Sequence, residues 1–179
     1  MKALPFLRAC LFLPVVFIMT VSAAKPEDFR SFDRFRTAVS SVPGWKEQED
    51  KYLTFTPKEL YYIIGKGAAE FDKQGLKKGV SVLLMNGNKV LEIYFNDFGK
   101  SSRAKGMVEK RIKLASDPKI VPQFNVTPAY CDEVAGGCVV YWAKENFYIE
   151  MTLSGYDTSK KAVTDAAALI DKICSVIPQ

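Results

Sequence analysis

The chain has 179 residues, a formal net charge of +5 and no histidine. The missing imidazole excludes Ser-His-Asp and Cys-His nucleophile arrangements and every histidine-liganded metal site. Its 25 basic and 20 acidic residues are interspersed, with no basic block interleaved with aromatics, so nothing in the composition points to nucleic acid.

Residues 1–24 read as an export signal. Lys2 and Arg8 form a positive start, and Ala9 to Met19 is an apolar run of 11 residues, short of the roughly 20 that a membrane span needs. Val21-Ser22-Ala23-Ala24 offers small residues for cleavage after Ala23 or Ala24. Cleavage after Ala24 removes no charges other than Lys2 and Arg8 and leaves a net +3. Residues 25–179 then suit one domain with a sizeable core, and no second apolar run approaches membrane length. The expected location is the periplasm or the cell exterior.

A first helix begins near Pro26, with acids Glu27 and Asp28 at its N-terminus. Its Phe29, Phe32, Phe35 and Val39 form a stripe that predicts packing on a core, and Pro43-Gly44 ends it. Glu47 to Lys51 reads as a charged link, and Tyr52 to Phe55 as a short strand. Thr56 to Gly75 then predicts one helix: Thr56 and Glu59 form a capping box, Pro57 suits the first turn, and Gly75 stops it. Leu60, Ile63, Ile64, Gly67, Ala68 and Phe71 share one face. Gly67 on that face predicts close approach of another backbone, leaving Gly65 on the opposite side free to accept Ala.

After Gly75 the pattern becomes extended. Gly79–Asn86 and Lys89–Asn96 read as a hairpin around Asn86-Gly87-Asn88. A helix follows from Ser101 or Ser102 to Leu114, and Ser116-Asp117-Pro118 stops it. Ile120–Val126, interrupted by Pro122, reads as an edge strand. Val139–Ala143 and Phe147–Leu153 form a second hairpin, the latter with Phe147, Ile149, Met151 and Leu153 facing the core and Tyr148, Glu150 and Thr152 facing water. A last helix, capped by Asp157 or Thr158, buries Ala162, Ala166, Leu169, Ile170, Ile173 and Ile177. The expected fold is a single α+β domain, an antiparallel sheet built from hairpins with helices packed mainly on one face.

The segment Leu60-Tyr61-Tyr62-Ile63-Ile64-Gly65-Lys66-Gly67-Ala68-Ala69-Glu70 resembles the helix of an uncharacterised family of exported bacterial proteins, a domain of unknown function. Leu91-Glu92-Ile93-Tyr94 with Ala104-Lys105-Gly106, and Tyr141-Trp142-Ala143-Lys144 with Phe147-Tyr148-Ile149, fit the same family. The resemblance implies an exported bacterial domain and supplies no activity.

Three mature cysteines without C-x-x-C spacing do not make a zinc site, and no metal or cofactor is expected. Cys131 and Cys138, separated by a Gly-rich turn in an oxidising compartment, are expected to form a disulfide, with Cys174 a buried free thiol. Two functions remain. One is a non-catalytic module binding a small ligand, an envelope component or a protein partner. The other is a carboxylate-dependent hydrolase or transferase. For the binding module, the expected contact surface is Tyr61, Tyr62 and Glu70, aromatics and an acid on the solvent side of the Thr56–Gly75 helix. Convergent acids of raised pKa would favour the enzyme instead.

Overall fold

The computed structural model describes residues 30–120 and 128–177. The export signal expected over residues 1–24 lies outside these, as does the expected strand beyond Ile120. In chain order the elements are α1 (Arg30–Ser40), β1 (Lys46–Glu47), β2 (Leu53–Phe55), α2 (Pro57–Ile64), a 3-10 turn (Gly65–Gly67), α3 (Ala68–Gln74), β3 (Lys78–Asn86), β4 (Lys89–Asp97) and α4 (Ser101–Leu114). There follow β5 (Lys119–Ile120), β6 (Tyr130–Val134), β7 (Gly137–Lys144), β8 (Phe147–Ser154) and α5 (Ser159–Val176). All strand neighbours are antiparallel, in the order β1-β3-β4-β8-β7-β6-β5, with β2 sharing the outer edge of β3 with β1.

Register follows from tight turns and from the alternation of side chains. Asn86 pairs with Lys89 across a two-residue Gly87-Asn88 turn, with Gly87 at φ +60, the conformation a two-residue hairpin turn asks for. From there Val82, Ile93 and Met151 line up on one face, as do Leu84, Leu91 and Leu153. This face carries the larger core. Phe32, Phe35 and Val39 of α1 and Leu169, Ile170 and Ile173 of α5 bury against it, each large apolar side chain contributing on the order of 2 kcal/mol. Phe35 stacks on Phe95, which stacks in turn on Phe147. The first helix and the last therefore dock as their stripes predict.

The α+β class and the antiparallel hairpin sheet are as expected, but helices cover both faces. The second face carries Tyr148, Glu150 and Tyr141, and Tyr148 is fully buried rather than facing water. Ala104, Met107 and Val108 of α4, Leu60 of α2 and Ala68 of α3 pack with Tyr141 and Tyr148 in a second, smaller cluster. The reason lies in the side chain: on an alternating strand Tyr148 reads as solvent-facing, yet a tyrosine ring is a large apolar body with one polar tip.

The expected single helix over Thr56–Gly75 is broken at Gly65–Gly67. Its ends are as read: Thr56 N donates to Glu59 Oε2 at 2.7 Å, and Gly75 is left-handed at φ 87. Its middle is not. Gly65 has φ 60 and ψ −136, a region that glycine alone enters without strain. Gly67 is exposed, and a Cβ there would meet Ile64 Cδ1 at 3.7 Å, an ordinary contact. No backbone crowds it, so the reading of Gly67 as a close-approach site is corrected. The roles of the two glycines reverse. Gly65→Ala should lower stability by about 1 to 3 kcal/mol. Gly67→Ala, at φ −59, should be neutral or stabilise by up to about 1 kcal/mol. Equal urea midpoints for the two variants would contradict this.

Candidate functional site

The ladder between β6 and β7 starts at Tyr130↔Tyr141. Before it stands Pro128, which has no N–H to extend the pairing. The last three residues of β7, Trp142–Lys144, therefore run on without β6 beside them, and a groove of about 930 Å³ opens at this notch. That volume falls within the range of small-molecule sites. Val108 and Ile112 of α4, Ala143 of β7 and Tyr130 of β6 supply apolar surface. Charged side chains stand around it: Lys105 and Glu109 on α4, Lys144 and Glu145 at the end of β7 and its turn, and Asp171 on α5. The last turn of α5 closes the other side through Cys174 and Ser175.

Local sequence explains each wall. One stripe of α4 (Ala104, Met107, Val108) is buried on the sheet, and Lys105, Glu109 and Ile112 fall on the adjoining side. Lys144 crosses to the end of α5, where its Nζ donates to the Cys174 carbonyl oxygen at 2.6 Å. This serves one of the carbonyls that a helix C-terminus leaves without a partner, and it pins α5 to the β7–β8 turn.

Behind Tyr130 lies a polar cluster that fixes α4. The Tyr130 and Tyr141 rings stack at 6.0 Å and 14°. Arg111 places its guanidinium 5.9 Å from the Tyr141 ring centre, and its Nη2 donates to Glu150 Oε1 at 2.7 Å. The Tyr148 hydroxyl donates to the other carboxylate oxygen, Glu150 Oε2. Glu150, a carboxylate in mid-sheet, is thereby served by a cation and a phenol, as a desolvated charge requires. Burial pushes the Tyr148 phenol well above its usual range and Tyr141 up to about 12. Arg111 Nε and the Tyr141 hydroxyl are buried without a partner among the described residues.

The described carboxylates with displaced pKa are Glu47, Glu70, Glu133 and Asp157, and all are displaced downwards. Their leading causes are hydrogen bonds from Arg36, Lys110, Ser159 and Lys161, respectively. None of the four lines the groove. Cys174 does, and burial raises its thiol above the usual range, the opposite of what a nucleophile needs. Among the described residues no group of three or more cysteines and carboxylates could hold a metal ion.

The residues singled out in the sequence fall elsewhere. Tyr61 and Tyr62 lie on α2, 42% and 91% exposed, and line no part of the groove. Glu70 lies on α3, beyond the helix break, ion-paired to Lys110 of α4. Cys131 and Cys138 come within 4.3 Å of each other on neighbouring strands, both buried and both free thiols in this structure. The groove itself is assembled from α4, β6, β7 and α5, and no single stretch carries its signature. The one local hint was Pro128, which limits how far β6 can pair.

The chain matches no protein-family model and no curated protein. Its fold is similar to that of the extracellular domain of PknH from Mycobacterium tuberculosis. The TM-score is 0.51 at 13% sequence identity, covering 80% of this chain and 91% of that one. At such low identity the likeness shows the fold alone.

Proposed function

We propose that this is an exported, non-catalytic binding module that holds a small amphipathic ligand in the groove between α4, the β6–β7 notch and the end of α5. The observation that carries the reading is the groove itself, an apolar floor of small-molecule size ringed by charges. The displaced carboxylates, all lowered and all outside it, supply no general acid for the alternative of a carboxylate-dependent hydrolase. Export is supported by residues 1–24 and by the neighbour's being an extracellular domain. Among the described residues no helix is long and apolar enough to cross a membrane.

The test uses the neutral fluorescent probe N-phenyl-1-naphthylamine on the full exported chain. Saturable binding with a Kd of roughly micromolar order is expected. Ile112→Trp, which adds bulk to a half-buried wall, should weaken it about tenfold or more, with the near-ultraviolet signal of the fold retained. Tyr61→Ala and Tyr62→Ala should leave it unchanged. Loss of binding in the tyrosine variants, with Ile112→Trp unaffected, would move the site to α2 and overturn the proposal.

The exported protein should also carry the Cys131–Cys138 disulfide. Cys138 hydrogen-bonds Cys131 and holds its pKa below the usual thiol range, while Cys138 itself is raised. Closing this short loop should stabilise the fold by about 2 kcal/mol. Peptide mapping should find Cys131 bridged to Cys138 and Cys174 free; a bridge to Cys174 would contradict the pairing.

A further inference from the structure

Resting on the groove reading above, we infer that the ligand class is an organic cation with an apolar body, an amine or quaternary ammonium amphiphile. Glu109, Glu145 and Asp171 all line the groove, and none makes an ion pair with a described residue. Of the two lysines present, Lys144 is engaged by the Cys174 carbonyl. Lys144 keeps its charge there, so the lining carries two lysines against three carboxylates, a formal excess of one negative charge. The C-terminal turn of α5 adds the negative end of an 18-residue helix on the same side. The lining is therefore acidic by one formal charge in a chain whose net charge is +5.

A second feature, independent of the acids, points the same way. Tyr130 lines the groove with its ring backed by Tyr141 at 6.0 Å. An aromatic wall held in place by a stacked neighbour suits the face of a quaternary or protonated amine. Apolar floor, aromatic wall and unpaired carboxylates together describe a cation with a hydrocarbon body. An anion would meet three carboxylates against two lysines, and a neutral ligand would leave the excess acid unused.

Displacement of bound N-phenyl-1-naphthylamine by decyltrimethylammonium and by decanoate, both below their micelle concentrations, tests this. The cation should displace the probe at about tenfold lower concentration than the anion. The triple variant Glu109→Gln, Glu145→Gln, Asp171→Asn changes three exposed side chains and should lose most of that preference, read as the ratio of the two displacing concentrations. Equal displacement by the two amphiphiles in the unmodified chain would overturn the cation inference and leave the binding reading standing. A preference that survives the triple variant would overturn it too, by placing its source elsewhere. Failure of the neutral probe to bind at all would sink the groove reading, and this inference with it.

Discussion

Gly137→Ala should lower stability by about 3 kcal/mol or more. Gly137 begins β7 opposite Ser154 of β8. A Cβ built there would lie 1.9 Å from the Leu153 carbonyl oxygen and 2.9 Å from its carbon. The clash is with backbone, so no rotamer can relieve it. Either β7 separates from β8 at this pair or the β6–β7 turn moves, and both disturb the strand that carries Cys138, Val140 and Trp142 into the larger core. Overpacking a core typically costs 1 to 3 kcal/mol, with larger values where the backbone must shift. The urea midpoint should fall with an unchanged slope. A loss below about 1 kcal/mol would mean that the strands separate more easily here than their register implies.

Arg111→Met should lower stability by about 3 kcal/mol and weaken probe binding in the groove. Glu150 keeps only 18% of its side-chain surface, so removing its cation strands a carboxylate in mid-sheet. Breaking a partly buried pair by deleting one partner costs more than the pair itself was worth. Arg111 also sits one residue before groove-lining Ile112, so any shift of α4 reaches the wall directly. The double variant Arg111→Met, Glu150→Gln should recover much of the loss, because the uncompensated charge is then gone. A double variant as unstable as Arg111→Met would show that packing of the guanidinium against Tyr141, and not the charge, was what mattered.

What the sequence revealed was whatever one segment decides by itself. The stripe of α5 is apolar at every buried position, and Thr158 caps it by accepting from Lys161 N. The Asn86-Gly87-Asn88 turn fixes β3 on β4 without help from the rest of the chain. The break at Gly65 escaped notice because the apolar period runs on through it: Ile63, Ile64, Ala68 and Phe71 still fall on one side. Periodicity reports side-chain placement and is blind to one backbone angle. Strand β6 escaped for the reverse reason. Asp132 and Glu133 spoil any apolar alternation, and the segment is extended because the edge of β7 offers it a ladder. Tyr148 reads as solvent-facing until α4 is laid over it. The groove needed all of these at once, since its walls come from segments up to 74 residues apart, Ser101 to Ser175.

The central claim is that ligands enter beside α4 and not along α2. Amide chemical-shift mapping of the ¹⁵N-labelled protein, titrated with decyltrimethylammonium, tests it most directly. Saturable shifts are expected at Val108, Ile112, Tyr130, Ala143 and Cys174, with Tyr61 and Tyr62 unmoved. Shifts confined to Tyr61, Tyr62 and Glu70, with the groove residues silent, would contradict it.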